Sequence, residues 1–250
     1  VGDMDNPFNL EVITPARQDA DSTGVDFTIF HGSPDAPTVD VFARDVAQLA
    51  SELAFAENTD YINVPADDYT IDIKAAGTEP IVASYTAPFS GLEGGAATVI
   101  ASGFLAPEMG EPAFGLFAVL ADGTFLELES VTNTADLQIV HNSPSPTVDI
   151  WVNDAPFVTD VAFRTATAYT EVPAGVNLNV GIALAGSTSP DDIIVDFDFI
   201  LDPDESYQVI ANGIVGDMDN PFNLEVITPA RQEADSTGVD FTIFHGSPDA

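Results

Sequence analysis

The chain has 250 residues, 45% of them hydrophobic, with 41 Asp and Glu against five Lys and Arg and a formal net charge of −36. That balance excludes nucleic acid as a partner, because binding it needs clustered cations to displace counterions, and it disfavours anionic membranes. With no cysteine there is no disulfide framework and no thiolate site, and no run reaches the roughly 18 apolar residues of a membrane helix.

The first words of the chain return near its end. Val1–Ala36 and Val215–Ala250 match at every position except Asp19 against Glu233, at an offset of 214 residues. Packing alone tolerates many apolar swaps, so such near-identity reads as a duplicated unit. Residues 1–17 are expected to be the C-terminal strand of a preceding B-type domain. Phe8, Leu10 and Val12 alternate there as an edge strand would.

A first complete domain, A, is expected over residues 25–131. In Val25–His31, Val25, Phe27, Ile29 and His31 share one face, with Asp26 and Thr28 on the other. "TVDVF", "YTIDIK", "PIVASY", "ATVIASGF" and "FGLFAVL" continue as strands, separated by turn words such as "GSPDAP" and "ADG". Asp45–Ala56, "DVAQLASELAFA", is the single helix candidate. A second domain, B, is expected over residues 135–231, because the words repeat in order: "FTIFHGSPDAPTVDVF" answers "LQIVHNSPSPTVDIW", and "NVPADDYTIDI" answers "EVPAGVNLNVGI". Residues 239–250 then read as the first strand of a following A-type domain, with Phe241, Ile243 and Phe244 as its assembly residues. Seven or so short strands in roughly 105 residues predict an all-β chain of two tandem Ig-like or transthyretin-like β-sandwiches within a repeating array.

Acidic turns are the candidate metal sites. "GDMDNP" supplies Asp3, Asp5 and Asn6 and again Asp217, Asp219 and Asn220; "DPDES" supplies Asp202, Asp204 and Glu205. Alternating oxygens suit calcium, which takes six to eight oxygen ligands. None of these stretches completes an EF-hand loop, and solvated acidic turns are the competing reading. His31, Ser33, Asp35 and Asp40, with His141, Ser143 and Asp149, are read as structural turn residues. Five neighbouring residues in a tight turn cannot line up as a catalytic triad, whereas Ser, Asp and Pro there are ordinary turn chemistry. No catalytic residue and no cofactor beyond calcium is expected. Phe30, Phe42, Val140 and Trp151 fall on faces opposite the core, where they suit contact with a neighbour or, less well, a sugar.

The H-x-S-P-D-A-P-x-V-D-V word at His31–Val41, followed by a "VPA" turn and a "VIASGF" strand, resembles an extracellular bacterial and archaeal family catalogued as domain of unknown function number 4397. Domain B is similar but departs from the pattern at Asn142 and in the shortened "SPSP". The resemblance implies a small β-sandwich, tandem use and a secreted or cell-surface setting; it carries no activity. The function expected is a structural repeat of an extracellular fibre, filament or stalk, joined head-to-tail to copies of itself, by one continuous chain or by strand complementation. The alternative is a tandem adhesin or calcium-dependent carbohydrate-binding module with a groove lined by Trp151 or Phe42.

Overall fold

The computed structural model describes residues 9–21 and 23–247. Contacts divide the chain into two units, residues 1–132 and 133–250. Among the described residues every regular element is a strand, apart from one 3-10 turn at Pro190–Asp192.

Unit 1 holds domain A: β1 (Val25–His31), β2 (Val39–Ala43), β3 (Ala47–Leu53), β4 (Ile62–Val64), β5 (Asp68–Ala75), β6 (Ile81–Pro88), β7 (Ala96–Ser102), β8 (Gly115–Leu120) and β9 (Phe125–Glu127). One sheet runs β4-β1-β7-β8-β9 and the other β3-β2-β5-β6. Strand β1 lies parallel to β7, while the other pairings are antiparallel. The alternation read in β1 sends Phe27 and Ile29 into a core with Val41, Ile71, Ile73, Val99 and Leu116. The opposite face of β1 is covered too: Asp26 and Thr28 are both 0% exposed, because Thr59, Asn63 and Arg17 lie over them.

Unit 2 repeats the plan with β10 (Thr134–His141), β11 (Val148–Val152), β12 (Ala155–Val161), β13 (Thr165–Ala166), β14 (Thr170–Pro173), β15 (Asn177–Leu184), β16 (Ile193–Ile200), β17 (Ser206–Asn212) and β18 (Asn223–Ile227). One sheet is β13-β10-β17-β18 with β14 also on β10; the other is β12-β11-β15-β16. Leu137, Ile139, Ile150, Leu178, Val180 and Val209 form its core. The parallel pairing of β10 with β17 mirrors that of β1 with β7. The chain is thus all-β, with two tandem domains of one design.

The expected helix at Asp45–Ala56 is instead the β2–β3 turn followed by β3 and its exit. Ala, Gln and Leu favour helix, but such propensity is worth little against tertiary pairing, and pairing with β2 overrides it. Two positive-φ residues make the hairpin: Asp45 (φ 58) turns the chain, and Glu52 (φ 51) forms a bulge. Leu53 and Ala50 then face the core. Domain B builds β12 the same way, with Asp154 (φ 61) and Asp160 (φ 56).

Two glycines are required by the backbone. Gly103 (φ 88) and Gly213 (φ 77) end β7 and β17, and a Cβ at either would sit 2.2 Å from a carbonyl oxygen, that of Ala113 or Pro221. Gly103→Ala is expected to cost domain A about 2 kcal/mol or more, from left-handed strain plus the clash, measured by urea unfolding.

Candidate functional site

The turn after the first strand of each domain is a web of side-chain bonds to backbone. In domain A, His31 is 2% exposed, and its Nε2 meets the Pro37 carbonyl at 3.0 Å. A carbonyl can only accept, so Nε2 carries the proton and Nδ1 is left as an acceptor. Ser33 Oγ donates its one proton to the Gly103 carbonyl (2.7 Å) and lies 3.3 Å from Asp35 Oδ1. Asp35 accepts from the N–H groups of Leu105 (2.9 Å) and Ala106 (3.0 Å). Those two backbone donors, Ala106 first, hold its carboxyl below the usual carboxylate range. Serine and histidine each point to a different carbonyl, so the geometry is that of a braced turn.

Domain B keeps the histidine bond of the brace and changes the rest. His141 Nε2 donates to the Pro146 carbonyl (2.9 Å), and its Nδ1 accepts from Ser143 N–H (3.2 Å). Ser143 Oγ donates to the Ser145 carbonyl at 3.3 Å. In domain A the turn is one residue longer, and His31 Nδ1 is buried without a hydrogen-bond partner. It belongs to a core whose apolar cavity, about 40 Å³, is lined by residues including Phe27, His31, Val41, Ile73 and Leu116.

The aspartate of "VDV" or "VDI" braces the bulge. Asp40 accepts from Glu52 N–H (2.8 Å) and Gly77 N–H (3.0 Å). Asp149, 2% exposed, accepts from Asp160 N–H, Ser187 N–H and Ser187 Oγ, each at 2.8 Å. Burial alone would push the Asp149 carboxyl up; the donors of Asp160 and Ser187 outweigh it and hold it below its usual range. The positive-φ N–H of Glu52 or Asp160 is the partner that local sequence reading missed; an Asp on a strand opposite an unexplained bulge is its signal.

The acidic turns carry local bonds of their own. Asp217 Oδ1 accepts from Asp219 N–H (2.8 Å) and Asn220 N–H (3.1 Å), an Asx turn. Asp202 accepts weakly from Tyr207 Oη (3.4 Å), Asp204 takes φ 65, and Glu205 joins through its carbonyl, which accepts from Asp136 N–H. Among the described residues no three Asp, Glu or His side chains converge on a point that could hold an ion. Asp3, Asp5 and Asn6 lie outside the described residues, as does Phe8.

Trp151 does not offer its ring to solvent. It is 5% exposed, and its Nε1 donates to Ser187 Oγ (2.9 Å) under the loop that follows β15. A sugar-stacking face at Trp151 is therefore corrected to a covered side chain. Phe42 is half-buried, with Lys74 Nζ 5.4 Å from its ring centre.

The assembly residues divide by copy. Phe27 and Ile29 are 2% and 5% exposed, whereas Phe241 and Ile243, the same word one period later, are 79% and 83% exposed, and Phe244 is 38% exposed. "FNLEV" at Phe222–Val226 supplies most of β18, paired with β17; in its first copy Leu10 and Val12 are 77% and 79% exposed and lie outside any strand.

The stretch before β1 carries a cluster that the sequence reading did not single out. Arg17 pairs with Asp26 and with Asp21 (2.6 Å), its guanidinium lies 4.9 Å from the Tyr61 ring centre, and its N–H donates to Tyr61 Oη (2.9 Å). Asn63 Nδ2 donates to Asp26 Oδ1 (2.6 Å), and Ala20 N–H to the Gly94 carbonyl (2.8 Å). Burial pushes the Asp26 carboxyl up, but the bonds from Asn63, Arg17 and Asp21 N–H carry it below its usual range. A folded value depressed in this way adds stability above the unfolded value and loses it as pH falls through the folded one. Between pH 5 and pH 2, Asp26→Asn is therefore expected to show a shallower fall of domain A stability than the parent chain, read as the difference of two urea-unfolding series. Equal slopes would remove Asp26 from the account.

No curated protein matches the chain. A crystal structure titled as that of a "putative cell adhesion protein" from Bacteroides fragilis aligns over 86% of this chain and 100% of that one, at 10% identity and a TM-score of 0.21; at those values it bears on neither fold nor function. The family described as "Domain of unknown function (DUF4397)" matches residues 25–114 and 135–250. With two such matches across most of its length, the chain belongs to that family of domains of unknown function.

Proposed function

We propose that this chain is a repeating segment of an extracellular fibre or surface stalk, in which A and B sandwiches alternate and the partner is the same sequence again. The observation that carries the reading is the near-identical 36-residue word that returns at an offset of 214 residues. Its "FNLEV" at Phe222–Val226 supplies most of an edge strand paired with β17 of domain B, and its "DFTIFH" at Asp26–His31 is the buried first strand of domain A, so one word spans the end of a B domain and the start of an A domain. Alternating apolar strands pair with a fitting sheet edge, and each half of the word has one in this chain. The large negative charge keeps such an array soluble and its units apart. The signature residues hold turns and bulges, in keeping with a mechanical rather than an enzymatic part.

A continuous polypeptide and subunits that exchange terminal strands are both forms of this reading. The mass of the native protein, measured under denaturing and native conditions, tests it. A polypeptide far above 26.3 kDa supports the first form. A band near that mass that runs as a large assembly in native buffer supports the second. A 26 kDa species under both conditions sinks the reading.

A further inference from the structure

Residues 15–24 and 229–238 share one sequence apart from Asp19 and Glu233, but one copy is seen before an A domain and the other after a B domain. The first copy bonds forward. Arg17 N–H goes to Tyr61, Ala20 N–H to Gly94, and the Arg17 side chain to buried Asp26. The second copy bonds backward. Ala230 N–H donates to the Ser206 carbonyl (2.8 Å), and Gln232 Nε2 donates to Asp136 Oδ2 (2.6 Å) and Ser206 Oγ (3.0 Å).

In second-copy numbers, the backward set is the 230 N–H and the 232 side chain; the forward set is the 231 N–H and side chain and the 234 N–H. The two sets share no group, and they interleave along the chain. The arginine pairing is the same in both copies. Arg231 bonds Asp240 (2.6 Å) and pairs with Asp235, as Arg17 does with Asp26 and Asp21.

We infer that, wherever a B domain is followed by an A domain, this one segment docks on both at once and fixes the joint between them. The inference rests on the repeat reading, since it needs an A domain after B. A flexible tether requires free residues between the last bond to one domain and the first bond to the next, and interleaved bonds leave none. The joint is then a strut, and the interaction surface on B is the pair Asp136 and Ser206, at the entry to β10 and β17. Its partner is the Gln232 amide of the connector.

The test uses the full chain continued past Ala250 with its own residues 37–132, which completes a following A domain. The chain has no cysteine, so single cysteines at Thr159 and at the appended copy of Thr124 give one spin-label pair across the joint. Pulsed dipolar spectroscopy is expected to show one narrow distance distribution. Gln232→Ala is expected to broaden it about twofold or more by freeing the backward side. Gln18→Ala, at the same position of the first copy and outside the labelled joint, is expected to leave the width unchanged. A broad distribution in the parent array, or an unchanged width with Gln232→Ala, overturns the inference. Neither result depends on the mass of the native polypeptide, so failure here is distinguishable from failure of the fibre reading.

Discussion

Phe27→Ala is expected to cost domain A about 3–5 kcal/mol, while Phe241→Ala in the same chain changes stability by less than about 0.5 kcal/mol. The two phenylalanines stand in the same word, "VDFTIFHGSPDA", so propensity and neighbours are held constant. Only burial differs: Phe27 is 2% exposed and packs tilted against Phe89 with ring centres 5.2 Å apart, and Phe241 is 79% exposed. Truncating a buried ring removes its transfer free energy and leaves a cavity, whereas an exposed ring has neither to lose. Amide exchange in β1, β7 and β8, which reports opening of domain A, and in β10 and β17, which reports opening of domain B, is the measurement. Comparable losses from the two substitutions would mean that Phe241 is packed, against the exposure described here. In an array completed by a following A domain, Phe241→Ala should acquire the large effect.

Asp149→Ala is expected to destabilise domain B by about 3 kcal/mol, because three donors that now meet one buried carboxylate would be left with nothing in its place. The readout is built in. Trp151 is the one tryptophan and is bonded to the Ser187 hydroxyl that Asp149 also holds, so its emission follows this brace directly. Asp40→Ala in domain A is the comparison. Asp40 is only half-buried and accepts from two N–H groups that water can reach, and a loss of about 1 kcal/mol is expected there. An Asp149→Ala chain with parental stability and unshifted emission would contradict the bracing role.

Much of the architecture was legible because β-strands advertise themselves by period. Val25–His31 and "VDIWV" show apolar alternation or continuity, and the ordered return of the same words in the second half marks two domains of one plan. What was not legible came from pairing at a distance. Asp45–Ala56 has helix-favouring composition, and only its bonds to β2 and the positive φ at Glu52 make it a strand. Parity puts Trp151 on an outer face, yet the loop after β15 covers that face. The Arg17–Asp26 pair joins residues nine apart across a turn, which strand period does not reveal, and the one signal for it is that a cation is conspicuous in a chain with only five. Its copy, Arg231, stands at the same spacing before Asp240. The acidic turns were legible as turns: Asp217 accepts from its own following N–H groups, as an Asx turn does.

Electron microscopy of the native material tests most directly whether this sequence builds a line of alternating A and B domains. The account predicts a thread of bead pairs with one axial repeat per A–B period, decorated once per repeat by an antibody raised against domain B. Isolated two-domain particles, or antibody sites without a constant spacing, would contradict it.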